Sequence, residues 1–175
     1  MNLDHLFEND PEQAHWDSLK NTGYYGAQGA GCLFYARSTG RLLLALRSRY
    51  VEQSGTWGTI GGAIDPHESP EVAARREAEE EAGATGKIDL VPIYVFRDKK
   101  FRYSNFLAIV DEEFEAHDTQ RLGFRETDRF QWFEFGHWPS PLHFGVKAIL
   151  ADPTSITFIQ DLRAARAHKL AGSAS

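Results

Sequence analysis

The chain has 175 residues, 42% of them apolar and 13% aromatic, enough for one packed core and far from a disordered composition. Its 19 Lys and Arg against 25 Asp and Glu give a formal net charge of −6, which excludes a globally basic nucleic-acid coat but leaves nucleotide binding through a bridging cation open. The single cysteine, Cys32, excludes an internal disulfide framework and any cysteine-based zinc cluster.

The first thirteen residues carry Asp4, Glu8, Asp10 and Glu12 and lack a basic, then apolar, leader. The apolar runs elsewhere are four or five residues long, too short to span a bilayer. One cytoplasmic domain over residues 1–175, not associated with a membrane, is the expectation. Residues 1–25 are polar with scattered aromatics (Trp16, Tyr24, Tyr25) and read as a peripheral segment.

The next elements read as strands. Ala30 to Ala36 and Leu42 to Leu46 are apolar runs separated by Ser38-Thr39-Gly40, a hairpin signal. Trp57 to Ile60 is a short extended segment that ends in Gly61-Gly62. Leu90 to Phe96 and Phe101 to Val110 are strands joined by the charged turn Asp98-Lys99-Lys100, and Phe130 to Phe135 is a further aromatic strand.

Three stretches read as helices. The clearest spans 69–82, with Ser69 as N-cap, Pro70 in the first turn and Gly83 as the C-terminal stop. A shorter one starts near Phe144 and ends before Pro153. The last, about 156–170, has Ile159, Leu162 and Ala165 at helical spacing, followed by a frayed tail over 171–175. Strands around one central helix, with further helices late, predict an α/β sandwich with a mixed sheet.

Chemistry concentrates between Gly62 and Ala84. On a helix, Glu77, Glu80 and Glu81 project from one exposed face while Glu79 points the other way. Like charges at that spacing repel by a few tenths of a kcal/mol per pair, roughly, and a hard divalent cation such as Mg²⁺ relieves the cost. The Gly61-Gly62 pair lets the backbone turn sharply and bring a carbonyl oxygen near the acids. Arg76 is placed to orient Glu77 or its neighbours, and Glu68 to brace the loop by accepting from backbone N–H groups or from Arg76.

The order Gly62, five residues, Glu68, seven residues, Arg76-Glu77, two residues, Glu80-Glu81, one residue, Gly83 resembles the Nudix box at every fixed position. Chance agreement at one place in a chain is on the order of 10⁻⁸ from average residue frequencies. The lead-in Trp57-Gly58-Thr59-Ile60-Gly61-Gly62 is similar too, with Ile60 where many members have proline. Ala78 and Ala84 stand where bulky aliphatics are usual. With the compatible strand order around it, the resemblance extends over about 28–152.

The resemblance implies a Nudix-like α/β/α sandwich with a catalytic loop–helix–loop. It also implies a Mg²⁺-dependent pyrophosphohydrolase, with Mn²⁺ as the alternative ion, that cleaves the diphosphate linkage of a nucleoside diphosphate joined to another moiety. Glu77, Glu80 and Glu81 would be the metal-binding acids and the Gly62 carbonyl a further ligand, with Glu68, Arg76, Gly61 and Gly83 supporting the site. A general base outside the box would come from Glu112, Glu113, Glu115 or Glu126, with Glu113 and Glu126 preferred; Glu77 itself is the other option.

Tyr103 falls near the place of a base-stacking tyrosine in dinucleoside-polyphosphate hydrolases of the family, and Arg47 lies in the segment Leu43-Leu44-Ala45-Leu46-Arg47-Ser48, which faintly resembles the lead-in of coenzyme A-cleaving members. Both are therefore candidates for substrate binding, although the neighbours of Tyr103, Phe101 and Phe106, equally suit strand packing. The partner expected is a nucleotide-type small molecule; DNA is not expected, capped RNA stays among the candidates, and a homodimer is allowed. His143 is read as a substrate contact or as the cap of the helix that follows, and His67 as a solvent-facing loop residue. Two other readings compete: a nucleotide-binding sensor that keeps the fold without chemistry, and an isopentenyl-diphosphate-isomerase-like enzyme, which needs Cys32 as a nucleophile facing the metal.

Overall fold

The computed structural model describes residues 11–22, 24, 26–119 and 125–172. Asp4, Glu8, Asp10, Tyr25 and residues 173–175 lie outside them. The elements run α1 (Pro11–Thr22), β1 (Gln28–Ala36), β2 (Leu42–Arg47), β3 (Trp57–Gly58), β4 (Ile60–Ala63), α2 (Pro70–Ala82), β5 (Asp89–Asp98), β6 (Phe101–Val110), β7 (Thr127–Phe133), α3 (Phe144–Ala151) and α4 (Pro153–Gly172).

All seven strands join one mixed sheet, in the order β3-β2-β1-β6-β5 with β4 added to β1 and β7 to β2. The expected α/β class therefore holds. β1 and β6 run parallel over their whole length, from Gln28 opposite Arg102 to Ala36 opposite Val110, and the other pairings are antiparallel. Side chains alternate along β1, so one strand feeds two cores. Cys32 and Phe34 face the layer formed by α2, together with Ile60, Phe106 and the α2 alanines. Leu33 and Tyr35 face the opposite layer, where Val146 and Ile149 of α3 and Ile159 of α4 complete the packing.

The sheet forks at β1. Its second half pairs with β2 at Phe34–Leu43 and Tyr35–Leu42, whereas its first half pairs with β4, from Gly29–Ala63 to Cys32–Ile60. The segment expected as one extended piece over Trp57–Ile60 is therefore two strands: β3 stays with β2 and β4 crosses to β1.

Other differences from expectation are local. Residues 11–22 form a helix inside the segment read as peripheral. β7 begins at Thr127, three residues before its first aromatic, because Thr127 and Arg129 still pair with Arg47 and Leu46 across β2. α4 begins at Pro153 because the Asp152 carboxylate accepts the Ser155 N–H at 2.8 Å and the Ser155 hydroxyl at 2.7 Å. The proline that ends α3 thus occupies the first turn of the next helix, which continues to Gly172, past the point where a frayed tail was expected. Among the described residues no helix is long and apolar enough to cross a membrane.

Candidate active site

The site rests on how α2 is held. The Ser69 hydroxyl accepts the Val72 N–H at 3.3 Å, and Pro70 occupies the first turn, where a missing N–H costs nothing. At the other end Gly83 adopts φ +66°, donates its N–H to the Glu79 carbonyl at 3.0 Å, and is followed by an Ala84 N–H donated to Ala78 at 3.1 Å. Between these caps Ala73, Ala74, Ala78 and Ala82 are fully buried against the sheet. The small residue at Ala78 is what lets the helix backbone approach so closely that the Cys32 thiol reaches the Ala74 carbonyl at 3.4 Å.

That close seat changes the environment of the acids. The sequence places Glu77, Glu80 and Glu81 on an exposed face; in the structure Glu77 and Glu81 retain only 7% and 8% of their exposure, and Glu80 alone keeps a half-exposed side chain. Glu79, on the far side, is exposed as expected. The burial comes from the bend of β4. The Gly61 N–H donates to Glu81 Oε2 at 3.0 Å. Gly61 has φ +151°, and a Cβ there would collide with the Ala30 carbonyl, so only glycine fits. Gly62 backs directly onto Glu77, whose Oε1 would lie 2.6 Å from any Cβ at that position.

Glu126, just before β7, adds a further carboxylate whose charge acts on Glu81 and Glu77. Burial pushes the Glu77 carboxyl up to about 7, against the pull of Arg76. Glu81 is pushed well above the usual carboxylate range by burial and then by the neighbouring charges of Glu77 and Glu126.

Arg76 is the counterweight. Its Nε and Nη2 grip both oxygens of Glu68 at 3.0 Å, Nη2 also donates to the Ala63 carbonyl at 3.0 Å, and Nη1 donates to Glu77 at 2.9 Å and Glu80 at 3.1 Å. Glu68 in turn accepts the Asp65 N–H at 3.1 Å. Glu68 therefore makes both of the contacts expected of it, one to the loop backbone and one to Arg76. The planar guanidinium ties loop, bend and helix together, a geometry that the compact charge of lysine does not reproduce.

The remaining candidates separate cleanly. Glu113 is not at this site: it lies past the end of β6, held by Arg41 at 2.7 Å and by the Thr39 hydroxyl. β6 runs parallel to β1, so its end reaches the hairpin at Gly40, whereas Gly61 and Gly62 pair at the other end of β1. Glu112 and Glu115 are exposed on the same connection. Tyr103 is brought close, but it lies against the floor of the sheet: its ring covers Gly29 and Gly31, and its hydroxyl reaches Gly61. Burial, then the charges of Glu81 and Glu77, raise its pKa.

Arg47 runs alongside Gly58 and donates Nε to the Glu52 carbonyl at 2.8 Å. His143 caps α3, its Nδ1 accepting the Gly145 N–H at 3.1 Å; burial, and then the charge of Arg47, push its pKa down to about 4. His67 is exposed, at φ +71°. Cys32 lies under α2, fully buried, and burial raises its thiol to about 12, so it is not the reactive nucleophile that the isomerase reading requires.

Sequence reasoning missed one feature at the start of β7. A hollow of about 460 Å³ has Leu43, Phe114, Phe130 and Trp132 among its lining, with Arg125, Thr127 and Asp128, the chain neighbours of Glu126, beside them. The aromatic run of β7 was visible in the sequence; that Phe114 would turn back to pack edge-on against Trp132 was not.

Among the described residues no three acidic, histidine or cysteine side chains form a closed cation cage; Arg76 holds Glu77 and Glu80 instead. The donor set nevertheless fits a hard divalent ion. Carboxylate oxygens are its preferred ligands, and the raised pKa values of Glu77 and Glu81 mark buried carboxyls whose ionised form Arg76 alone does not compensate. Of Glu77, Glu81 and Glu126, Glu126 is the exposed one.

A family model for the NUDIX domain matches residues 27–152. The chain is 43% identical over 81 residues to a protein named putative 8-oxo-dGTP diphosphatase 3 from Mycobacterium tuberculosis, covering 45% of this chain and 34% of that one. It is 35% identical over 108 residues to human diphosphoinositol polyphosphate phosphohydrolase 2, covering 60% of this chain and 56% of that one. It thus spans between a third and somewhat over half of these relatives. Two solved structures share the fold: RenU, a Nudix hydrolase from M. smegmatis, has a TM-score of 0.56 at 27% identity over 83% of this chain and 89% of that one. A MutT NUDIX hydrolase from Burkholderia pseudomallei has a TM-score of 0.53 at 25% identity over 70% of this chain and 94% of that one. With an acid helix seated on a glycine bend and a family model matching most of its length, this chain belongs to the NUDIX domain family.

Proposed function

We propose that the protein hydrolyses a phosphoanhydride bond in a nucleoside-diphosphate derivative, with Mg²⁺ held by Glu77, Glu80, Glu81 and the Gly62 carbonyl. The observation that carries this reading is the seating of Glu81 and Glu77 on the Gly61–Gly62 bend, with the charge of Glu126 acting on both. The names of the two relatives, a diphosphatase and a diphosphoinositol phosphohydrolase, are consistent with cleavage at a diphosphate. Bound Mg²⁺ would neutralise the diphosphate and make a water more acidic.

The protein groups have separable roles. Glu126, exposed and against Glu81, takes a proton from water as its oxygen bonds to phosphorus, while the bridging P–O bond breaks and its electron pair leaves on the departing phosphate. Arg76 fixes the carboxylates through its contacts to Glu68, Glu77 and Glu80. Tyr103 presents its hydroxyl beside Gly61, which supports a contact to substrate in place of the expected stacking role, its ring being occupied by the glycine floor. Arg47, on the same side as His143, supplies positive charge for a phosphate.

The test is phosphate release with Mg²⁺ and with Mn²⁺ from a panel of nucleotide sugars, dinucleoside polyphosphates, ADP-ribose, coenzyme A, capped RNA, 8-oxo-dGTP and a diphosphoinositol polyphosphate. Metal-dependent turnover that is lost in Glu80→Gln/Glu81→Gln supports the reading. Binding of a nucleotide without turnover identifies a sensor and refutes it.

A further inference from the structure

On the α2 side of the sheet, the hollow at the start of β7 has an aromatic floor and two walls. Leu43 of β2 and Phe130 and Trp132 of β7 line it with the face that packs on the α2 layer. Phe114, on the connection after β6, meets Trp132 edge-on at 5.7 Å and Phe34 edge-on at 5.2 Å, and the Trp132 Nε1–H donates to the Phe114 carbonyl at 3.1 Å. Those rings are fixed. Phe130 is half-buried and enters no ring pair among the described residues. The volume, about 460 Å³, falls within the roughly 300–1,000 Å³ of small-molecule sites, whose walls are mostly apolar with a few placed polar groups.

The polar groups decide which part of a ligand fits. Glu115, Asp118 and Asp128 line the hollow together with His117, Arg125 and Arg129. The Arg129 guanidinium is engaged elsewhere, 5.1 Å from the Trp57 ring, and Trp57 belongs to the opposite core layer. Arg125 and Asp128 are exposed and make no ion pair among the described residues. Three carboxylates around one available guanidinium disfavour a phosphate or a polyphosphorylated ring. An uncharged heteroaromatic ring suits the same lining: its N–H groups find the Asp128 acceptor, its ring nitrogens and carbonyls the Arg125 donors, and its flat face the Phe130 ring.

Both walls run into the acid site. One ends at Asp118, whose neighbour Thr119 donates its N–H and its hydroxyl to the Glu80 carbonyl at 3.0 and 2.7 Å, while the His117 N–H donates to the Ala82 carbonyl at 3.2 Å. These bonds satisfy carbonyls of the last turn of α2 that have no partner within the helix. The other wall, Arg125 and Thr127, brackets Glu126, whose charge acts on Glu77 and Glu81.

We propose that this hollow is the subsite for the nucleobase of the substrate, with the ring face on Phe130, its hydrogen-bonding edge toward Arg125 and Asp128, and the diphosphate leading past Glu126 to the acids. Phe130, Arg125 and Asp128 are then the residues that set base specificity. The inference rests on the nucleoside-diphosphate reading above for its reaction, whereas the binding of the base requires no turnover.

Titration of the full chain with AMP, GMP, CMP and UMP, and with ribose 5-phosphate as the matched ligand lacking a base, each with and without Mg²⁺, tests it by NMR of the tryptophan indole N–H groups. Trp132→Phe assigns the resonance. A saturable shift of the Trp132 indole N–H with at least one nucleotide, and none with ribose 5-phosphate, is expected. Phe130→Leu, which keeps the apolar bulk but loses the ring, should weaken that binding about fivefold or more, while Phe130→Tyr retains it. Arg125→Gln/Asp128→Asn should weaken it as well. Gly61 and Gly62 amide resonances at their wild-type positions verify the fold of each variant. Equal shifts with ribose 5-phosphate, no Trp132 shift at millimolar nucleotide, or binding undiminished in Phe130→Leu or in Arg125→Gln/Asp128→Asn overturns the proposal. A base-dependent shift without turnover of any substrate in the panel upholds the subsite and refutes the hydrolase reading; turnover without a Trp132 shift does the reverse.

Discussion

Glu81 and Glu113 sit at opposite ends of one sheet, and the difference between them separates a reactive carboxylate from a structural one. Glu113 has a guanidinium and a hydroxyl on its two oxygens, so its charge is spent within the fold. Glu81 is deeper, receives one backbone N–H, and otherwise faces other acids. Residue type and spacing alone made both eligible. A buried carboxylate without a cation is costly for stability and is retained where an ion or substrate will supply the missing charge.

The comparison breaks most strongly at the two arginines. Arg76→Gln leaves Glu68, Glu77 and Glu80 without their shared cation and should cost about 3 kcal/mol in chemical denaturation without metal, because it strands partly buried charges. Arg41→Gln, which frees the more exposed Glu113, should cost under about 1 kcal/mol. Equal losses would mean that the two ends are electrostatically alike.

Next in size is the seat of the acid helix. Ala78→Leu forces a larger side chain between α2 and the sheet and should cost about 1–3 kcal/mol. It should also lower turnover, since the carboxylates move with the helix; a thermal melt and a Mg²⁺-dependent rate report the two effects.

His143 repeats the Glu81 situation with the sign reversed: a buried base beside a cation, Arg47. Its folded pKa, about 4, lies below the ordinary histidine value, so between about pH 4 and 6.5 the unfolded chain binds more protons than the folded one. Its stability contribution is complete above that window and is lost as pH falls through it, by roughly 1–2 kcal/mol after allowance for partial exposure. His143→Asn retains a helix cap and should flatten that part of the stability–pH curve relative to wild type. The smallest effect is expected at Cys32: Cys32→Ala should leave turnover unchanged, and the wild-type thiol should resist a thiol reagent until the protein unfolds.

Much of this was legible in the sequence because local chemistry dictates it. Ser69, Pro70 and Gly83 bound α2 within a residue, and the Arg76–Glu68 bridge follows from the box spacing. What was not legible depends on long-range geometry. The fork of the sheet at Gly61 is a choice of partner for β4, and no periodicity within Trp57–Ala63 encodes it. That fork, with the alanine seat of α2, turns an exposed acidic face into a buried one. Glu126 could not be preferred over Glu113 because the choice depends on where β7 enters the sheet and on which end of β6 each connection leaves.

The central claim is that uncompensated carboxylates at the glycine bend, and not the acid-rich composition, carry the chemistry. Steady-state kcat on the best substrate, over a Mg²⁺ titration, for Glu81→Gln and Glu113→Gln side by side tests it most directly. The account predicts a fall of about 10² or more for Glu81→Gln, with unchanged or raised thermal stability, and a value within about threefold of wild type for Glu113→Gln. Full activity in Glu81→Gln, or an equal loss in both variants, would contradict it.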